Sequence, residues 1–312
     1  MKKLLFILLL LPALLNCSTG DDDTNTTAND NDDQGTTTDC SNTSSTFSIN
    51  LDASTCTTAI STNSIYSEVV NTGSDTRVIT INSIPEHLVG SFPNAGNPNT
   101  ISEQNFSYSL DLTPSLASTT TRAQGYEFGV LYSGVSMDPF TAEFFIGTNG
   151  VNMDWNITTL TNSVNLGLDC NNAHVQPTGK YHYHGTPSAY VADLGIDGSE
   201  MVKVGYAADG FPIYYKYGYD DDGNTIMALE SGYQLLEGAR PGDGLTAPDG
   251  CYDGTYFQDY EYVNGTSLLD ECNGRFGKTP ESDDEYYYVI TDNFPSSPLC
   301  FSGTPSNDFR FF

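Results

Sequence analysis

The chain has 312 residues and a formal net charge of -29, from 40 acidic and 11 basic residues. This excess of acid leaves few basic residues for the patches that bind nucleic acid or an anionic membrane surface, so we exclude both kinds of partner. Phe, Tyr and Trp make up 12% of the chain and Gly is abundant, which indicates a turn-rich globular protein.

The first residues predict export and a lipid anchor. Lys2 and Lys3 precede an apolar run over residues 4–15, which is too short to span a bilayer and is typical of a signal-peptide core. Cys17 stands where this run ends and resembles the acylated cysteine of a bacterial lipobox. We therefore predict a signal peptide over residues 1–16 and lipidation of Cys17. An ordinary secretory signal is the alternative.

An acidic segment follows the predicted anchor. Residues 21–40 hold seven aspartates and no basic residue, mixed with Thr and Asn, a composition that does not form a core. We predict a flexible tether over residues 17–45, with the protein at the outer membrane or cell surface. The acidic run also resembles the surface-export signal of some bacterial lipoproteins.

Alternation of apolar and polar residues predicts strands along most of the remaining chain. In chain order the predicted strands are 47–51, 77–84, 106–112, 126–132, 143–147, 180–184, 201–207, 212–217, 260–263 and 285–291. The best helical segments are short, at 187–194 and 267–272. The pattern predicts an all-β fold, a β-sandwich or layered antiparallel sheets with long loops and few short helices.

The cysteines agree with an oxidising compartment. Apart from Cys17 there are six: Cys40, Cys56, Cys170, Cys251, Cys272 and Cys300. They can form up to three disulfides, and the sequence does not give their pairing. A Cys40–Cys56 pair is one option, which would staple together an N-terminal extension over residues 46–74.

Three of the four histidines fall within eleven residues. His182 and His184 stand at i and i+2 of a predicted strand, so both imidazoles point to one face, and Tyr181 and Tyr183 point to the other. The turn at residues 177–179 can bring His174 beside them. Three neutral imidazoles facing one point suit copper or zinc, and the alternative is a set of hydrogen-bonded structural histidines.

Carboxylates supply further candidates. Asp169, Asp209 and Glu271 could ligate the metal or orient its ligands, although each alone is more typical of a solvated or turn-capping acid. Calcium could bind at Asp220, Asp222 and Asn224 around Gly223. That segment lacks the acid at loop position 12, so an acidic β-turn without metal is favoured.

The residues resemble a known family. Tyr181-His182-Tyr183-His184 looks like the namesake motif of the YHYH domain family of extracellular proteins, and residues 84–99, 128–139, 209–214, 269–275 and 294–305 resemble its other segments. The resemblance covers residues 75–308 and implies no chemistry, because the family is of uncharacterised function. It makes His87 a candidate fourth member of the site and the stretch 209–214, with Asp209 at its start, a candidate wall of it.

Three functions remain open at the level of the sequence. The first is a lipoprotein that binds copper or zinc through its histidine cluster. The second is a metal-dependent hydrolase, which needs an open coordination position and a base such as Asp209 or Glu271. The third is a non-enzymatic module whose tyrosines bind a glycan or another small molecule. Whether the protein is an enzyme is not decided.

Overall fold

Residues 38–311 are described by a computed structural model, in which β-strands dominate. The predicted signal peptide, Cys17 and most of the predicted tether lie outside these residues. In chain order the strands are β1 (Tyr66–Asn71), β2 (Thr76–Ile81), β3 (Phe106–Asp111), β4 (Leu116–Arg122), β5 (Gly129–Leu131), β6 (Ser136–Met137), β7 (Phe144–Gly147), β8 (Gly150–Asn156), β9 (Ala173–Val175), β10 (Tyr181–Tyr183), β11 (Lys203–Ala207), β12 (Pro212–Tyr215), β13 (Tyr217–Tyr219), β14 (Ile226–Ala228), β15 (Tyr233–Leu235), β16 (Tyr260–Tyr262), β17 (Gly274–Gly277), β18 (Glu285–Ile290) and β19 (Cys300–Gly303).

Helices are few and short, as predicted. The described residues contain one α-helix, α1 (Ser188–Asp193), and three single turns of 3-10 helix at Ala53–Thr55, Phe257–Asp259 and Asn307–Phe309. None of the described helices is long and apolar enough to cross a membrane. The all-β prediction is confirmed.

An eight-stranded sheet forms the centre of the fold, in the order β17-β18-β12-β11-β5-β6-β10-β9. Most neighbours are antiparallel, but β6 pairs with β10, and β12 with β18, in parallel. Strands β1, β2 and β3 form a separate antiparallel sheet. The histidine-bearing strands β9 and β10 therefore lie at one end of the large sheet, with β9 as its edge strand.

Both faces of the large sheet are covered. Along β18, Tyr286, Tyr288 and Ile290 pack into the main core, while Tyr287 and Val289 face a second, smaller core. Successive residues of a strand point to opposite faces. This explains why the strand is apolar along nearly its whole length instead of alternating with polar residues.

Two predicted elements are wrong. Residues 47–51 form no strand. Phe47 makes only an isolated bridge with Thr161, and the backbone N–H of Asn50 bonds to the side chain of Asn172. Residues 267–272 form turns instead of a helix, because Asp270 accepts hydrogen bonds from the backbone of Cys272 and Gly274. Such local side-chain acceptors compete with helix formation.

Three disulfides join distant parts of the chain: Cys40–Cys251, Cys56–Cys170 and Cys272–Cys300. The suggested Cys40–Cys56 pair is wrong. Thr58 pairs with Val89 through the backbone in both directions, which holds Cys56 against the main domain and beside Cys170. From Thr38 onward the chain clusters as one unit, and the segment before β1 is fastened to it by two of these disulfides.

Candidate metal centre

A tight turn brings His174 and His182 face to face. Strands β9 and β10 are antiparallel, and His174 is directly opposite His182 in their register. The turn closes with the backbone N–H of Gly179 donating to Gln176, and the positive φ of Gly179 (89°) is one that glycine adopts without strain. Directly opposed residues have Cβ atoms about 5 Å apart, so the two imidazoles necessarily lie side by side.

His184 completes the cluster from the same strand face. Its backbone N–H donates to the Asn172 carbonyl, which continues the pairing one step beyond β10. The three ring centroids form a nearly equilateral triangle: His174–His182 is 4.8 Å, His174–His184 is 4.7 Å and His182–His184 is 4.6 Å. One nitrogen from each ring lies within 4.8 Å of the others. The predicted convergence of the three histidines is thus present.

The hydrogen bonds of two rings fix where their protons are. His174 Nδ1 lies 2.9 Å from the carbonyl oxygen of Leu166, and His184 Nδ1 lies 2.5 Å from that of Asp138. A carbonyl can only accept, so each Nδ1 carries the hydrogen and each Nε2 of the neutral ring has a bare lone pair. These two Nε2 atoms lie 3.0 Å apart. Two lone pairs this close repel unless an electrophile lies between them.

A proton shared between these two Nε2 atoms is disfavoured, because burial favours the neutral form of the histidine rings. His182 and His184 are 2% and 3% exposed. Burial lowers the pKa of both rings well below the ordinary value, and the neighbouring His174 lowers both further. Burial also lowers the pKa of His174. All three rings are therefore neutral near pH 7, the form in which imidazole ligates a metal.

The opposite face of β10 is occupied by its tyrosines. The Tyr181 hydroxyl donates to Asp169 at 2.8 Å, and the Tyr183 hydroxyl lies 2.6 Å from His87 Nε2 and 2.8 Å from Ser133 Oγ. Both tyrosines are fully buried. These contacts lock the rotation of the strand, so that the imidazoles cannot turn away from each other.

His87 is not part of the cluster. Its Nδ1 bonds to the Leu88 carbonyl and its Nε2 to Tyr183, so both ring nitrogens are used on the tyrosine face of the strand. Asp169 also lies on that face and accepts from Gly90 as well as from Tyr181. Asp169 also lies within metal-ligand spacing of Cys56 and Cys170. This does not indicate a metal site, because the two cysteines are bonded to each other in a disulfide.

Asp209 and Glu271 are also separate from the cluster. The buried Asp209 Oδ2 accepts from the Tyr288 hydroxyl at 2.5 Å and from the Gly303 N–H at 2.9 Å, which ties the turn before β12 to β19. Glu271 is exposed and accepts from Thr120. Neither carboxylate lies among the converging histidine nitrogens. The predicted ligand or wall role of Asp209 is replaced by a structural one.

The acidic segment proposed for calcium forms a hairpin turn between β13 and β14. Asp220 Oδ1 accepts from the backbone N–H groups of Asn224 and Thr225, and Asp221 pairs with Arg275 at 2.8 Å. Among the described residues, Asp220, Asp222 and Asn224 do not belong to a group with metal-ligand spacing. The structure thus shows this segment as an acidic turn held by its own backbone and side-chain hydrogen bonds.

Two groups that orient the histidine rings could not be predicted from the sequence. The carbonyls of Asp138 and Leu166 fix the tautomers of His184 and His174, but main-chain acceptors leave no residue signature. Asn172 was also missed as a structural residue. It has a positive φ of 51°, and its side chain bridges Asn50 and Thr186. An asparagine just before a strand is compatible with such a left-handed turn, which was the one available signal.

Comparison with known proteins identifies the family but no relative of known activity. No curated protein and no solved structure matches the chain. The family model described as YHYH protein matches residues 107–303, which include β9, β10 and all three clustered histidines. The chain therefore belongs to the YHYH protein family.

Proposed function

We propose that this protein binds one transition metal ion, copper or zinc, through His174, His182 and His184. The observation that carries the proposal is the pair of bare Nε2 lone pairs on His174 and His184, 3.0 Å apart in a buried site. A tetrahedral metal with bonds of 2.0–2.1 Å separates its ligand nitrogens by about 3.3 Å. At this pair a widening of a few tenths of an ångström would therefore admit the ion, and the ligand nitrogen of His182, which lies within 4.8 Å of the other two, would then close on the same point.

The donor set favours these two metals over others. Three neutral imidazoles, joined by no thiolate or carboxylate of the described residues 38–311, suit zinc and copper, whereas calcium and magnesium require oxygen ligands. The carbonyls of Leu166 and Asp138 would act as the outer hydrogen-bond partners that hold metal-bound histidines in place.

Binding is favoured over hydrolysis at this site. The cavity beside His184 has a volume of about 10 Å³ and is lined by Pro139, Thr158, Thr159, Leu160, Phe257, Phe294, Pro295 and Leu299. That volume accommodates about one water molecule. The two candidate bases, Asp209 and Glu271, are hydrogen-bonded elsewhere. We therefore propose capture or storage of the metal, with a water or other small ligand in the fourth position.

The cellular setting is part of the proposal. The apolar run ending at Cys17 and the acidic segment after it support a lipid-anchored protein at the outer membrane or cell surface. The disulfides of the described residues suit the same oxidising compartment.

Metal analysis of protein purified without a histidine tag tests the proposal. Wild type is expected to retain about one copper or zinc ion per chain, and a His182→Ala, His184→Ala double variant to retain none. His87→Ala is the matched control, because His87 is buried but bonded outside the cluster, and it should keep the metal. Equal metal content in wild type and the double variant would refute the proposal.

A further inference from the structure

A buried lysine and glutamate lie in direct contact beside the turn into β10. Lys180 Nζ contacts Glu127 Oε1, and the two side chains are only 3% and 6% exposed. Other lysine pairs differ: Lys203–Glu281 is separated by 2.9 Å and Lys216–Asp292 by 2.6 Å, with side chains 21–47% exposed. Lys180 and Glu127 are thus much better shielded from water than the other two pairs.

Aromatic rings enclose this pair. Lys180 Nζ lies 4.1 Å from the centroid of Phe106, and the Tyr108 ring stacks on Phe309 at 4.1 Å. The Tyr108 hydroxyl donates to Glu127 Oε2 at 2.6 Å. One carboxylate oxygen therefore faces the amine, and the other accepts a hydrogen bond from a fixed donor.

We propose that Lys180 and Glu127 condense to an intramolecular isopeptide bond after the protein folds. Two ions held in a water-excluded site carry a desolvation cost of several kcal/mol each, and an amide removes both charges. The fold also holds the lysine amine against the carboxylate group that it would attack, which replaces a bimolecular encounter by an intramolecular one.

The step balances without an external reagent. The Lys180 ammonium transfers a proton to the Glu127 carboxylate, and the neutral amine then attacks the glutamate Cδ. The new N–C bond forms, negative charge develops on Oε2, and the Tyr108 hydroxyl stabilises it as a preorganised donor. The attacking nitrogen then gives a second proton to Oε1, the C–Oε1 bond breaks, and Oε1 leaves as water with that proton and the one taken from the ammonium. Nothing is oxidised or reduced, and the product is a secondary amide.

Such a bond would join two elements that hold the histidine cluster. Glu127 stands just before β5 in the middle of the large sheet, and Lys180 stands just before β10 near its end. A covalent link between them would fasten the turn between β9 and β10 to the sheet, independently of whether a metal is bound.

Mass spectrometry of the full reduced and denatured protein tests the bond. We expect a proteolytic digest to yield a branched peptide that contains both Lys180 and Glu127, lighter than its two parts by one water. Lys180→Arg is the matched variant, since arginine keeps the positive charge but does not condense, and it should yield only linear peptides. Lys216 and Asp292, a half-buried pair, serve as the internal control and should remain unlinked.

One result would overturn the bond itself, and another would overturn the role of Tyr108 in forming it. Folded wild-type protein that yields Lys180 and Glu127 only in linear peptides would show that the pair remains ionic. In newly synthesised protein sampled over time, Tyr108→Phe should slow formation of the bond by about a hundredfold, and an unchanged rate would remove Tyr108 from the reaction. Neither result bears on metal content, so this inference and the proposed function fail separately.

Discussion

Asp209 makes the stability of the protein depend on pH in a predictable way. The carboxyl is 4% exposed, and its Oδ1 has no hydrogen-bond partner in the part of the chain that the structure describes. Burial raises its pKa from 3.8 to about 6, against the opposing effect of hydrogen bonds from Tyr288 and Gly303. This change corresponds to about 3 kcal/mol. The native state binds the proton more tightly than the unfolded state, so the stabilisation is complete below about pH 4 and is lost as pH rises through about 6.

Replacing Asp209 by asparagine removes this dependence. Asparagine can still accept from Tyr288 and Gly303, but its amide N–H groups at the Oδ1 position would lack partners, at a cost of about 1–3 kcal/mol. Asp209→Asn should therefore be less stable than wild type at about pH 4 and about equal to it at about pH 7.

Urea unfolding of both metal-free proteins at several pH values measures the free energy of unfolding. The difference between variant and wild type should change by about 3 kcal/mol across this range. Other buried acids, such as Asp138, whose pKa is raised to about 8 by burial, cancel in that difference. A difference that stays constant from about pH 4 to about pH 7 would refute the reasoning.

Two further predictions concern the support of the histidine strand. A Cys56→Ala, Cys170→Ala variant opens a loop of 114 residues and should lower the free energy of unfolding by about 5 kcal/mol; a loss of under about 1 kcal/mol in chemical denaturation would contradict this. Tyr183→Phe leaves His87 and Ser133 without their buried partner and should cost about 1–3 kcal/mol. Its metal content should stay at the wild-type value, and loss of the metal would show that the tyrosine face does more than support the strand.

The histidine cluster was predictable because its geometry is local. The i, i+2 spacing of His182 and His184 fixes their common face, and the turn before Lys180 fixes the place of His174. The resemblance to the family also suggested His87, and this failed because its partner Tyr183 lies 96 residues away in the chain and on the other strand face. Sequence spacing carries no information about such contacts.

The fold class was predictable, but the pairing of its elements was not. The alternation that predicts strands is strong where one face is buried, as in β3, and it disappears in β12, where both faces are buried. Very short strands such as β13 and β14 are defined by their hairpin partner and carry too few residues for a periodic pattern. The disulfides are likewise set by long-range contacts, which join Cys40 to Cys251 across 211 residues.

X-ray absorption at the metal edge of the purified, untagged protein tests the central claim most directly. If His174, His182 and His184 hold one ion, the first shell should fit three imidazole nitrogens at about 2.0–2.1 Å, with at most one further oxygen or nitrogen ligand. That signal should be lost in the His182→Ala, His184→Ala variant and kept in His87→Ala. A shell of oxygens alone, or sulfur at about 2.3 Å, would contradict the account, because no converging carboxylate or free thiol lies with these histidines among the described residues.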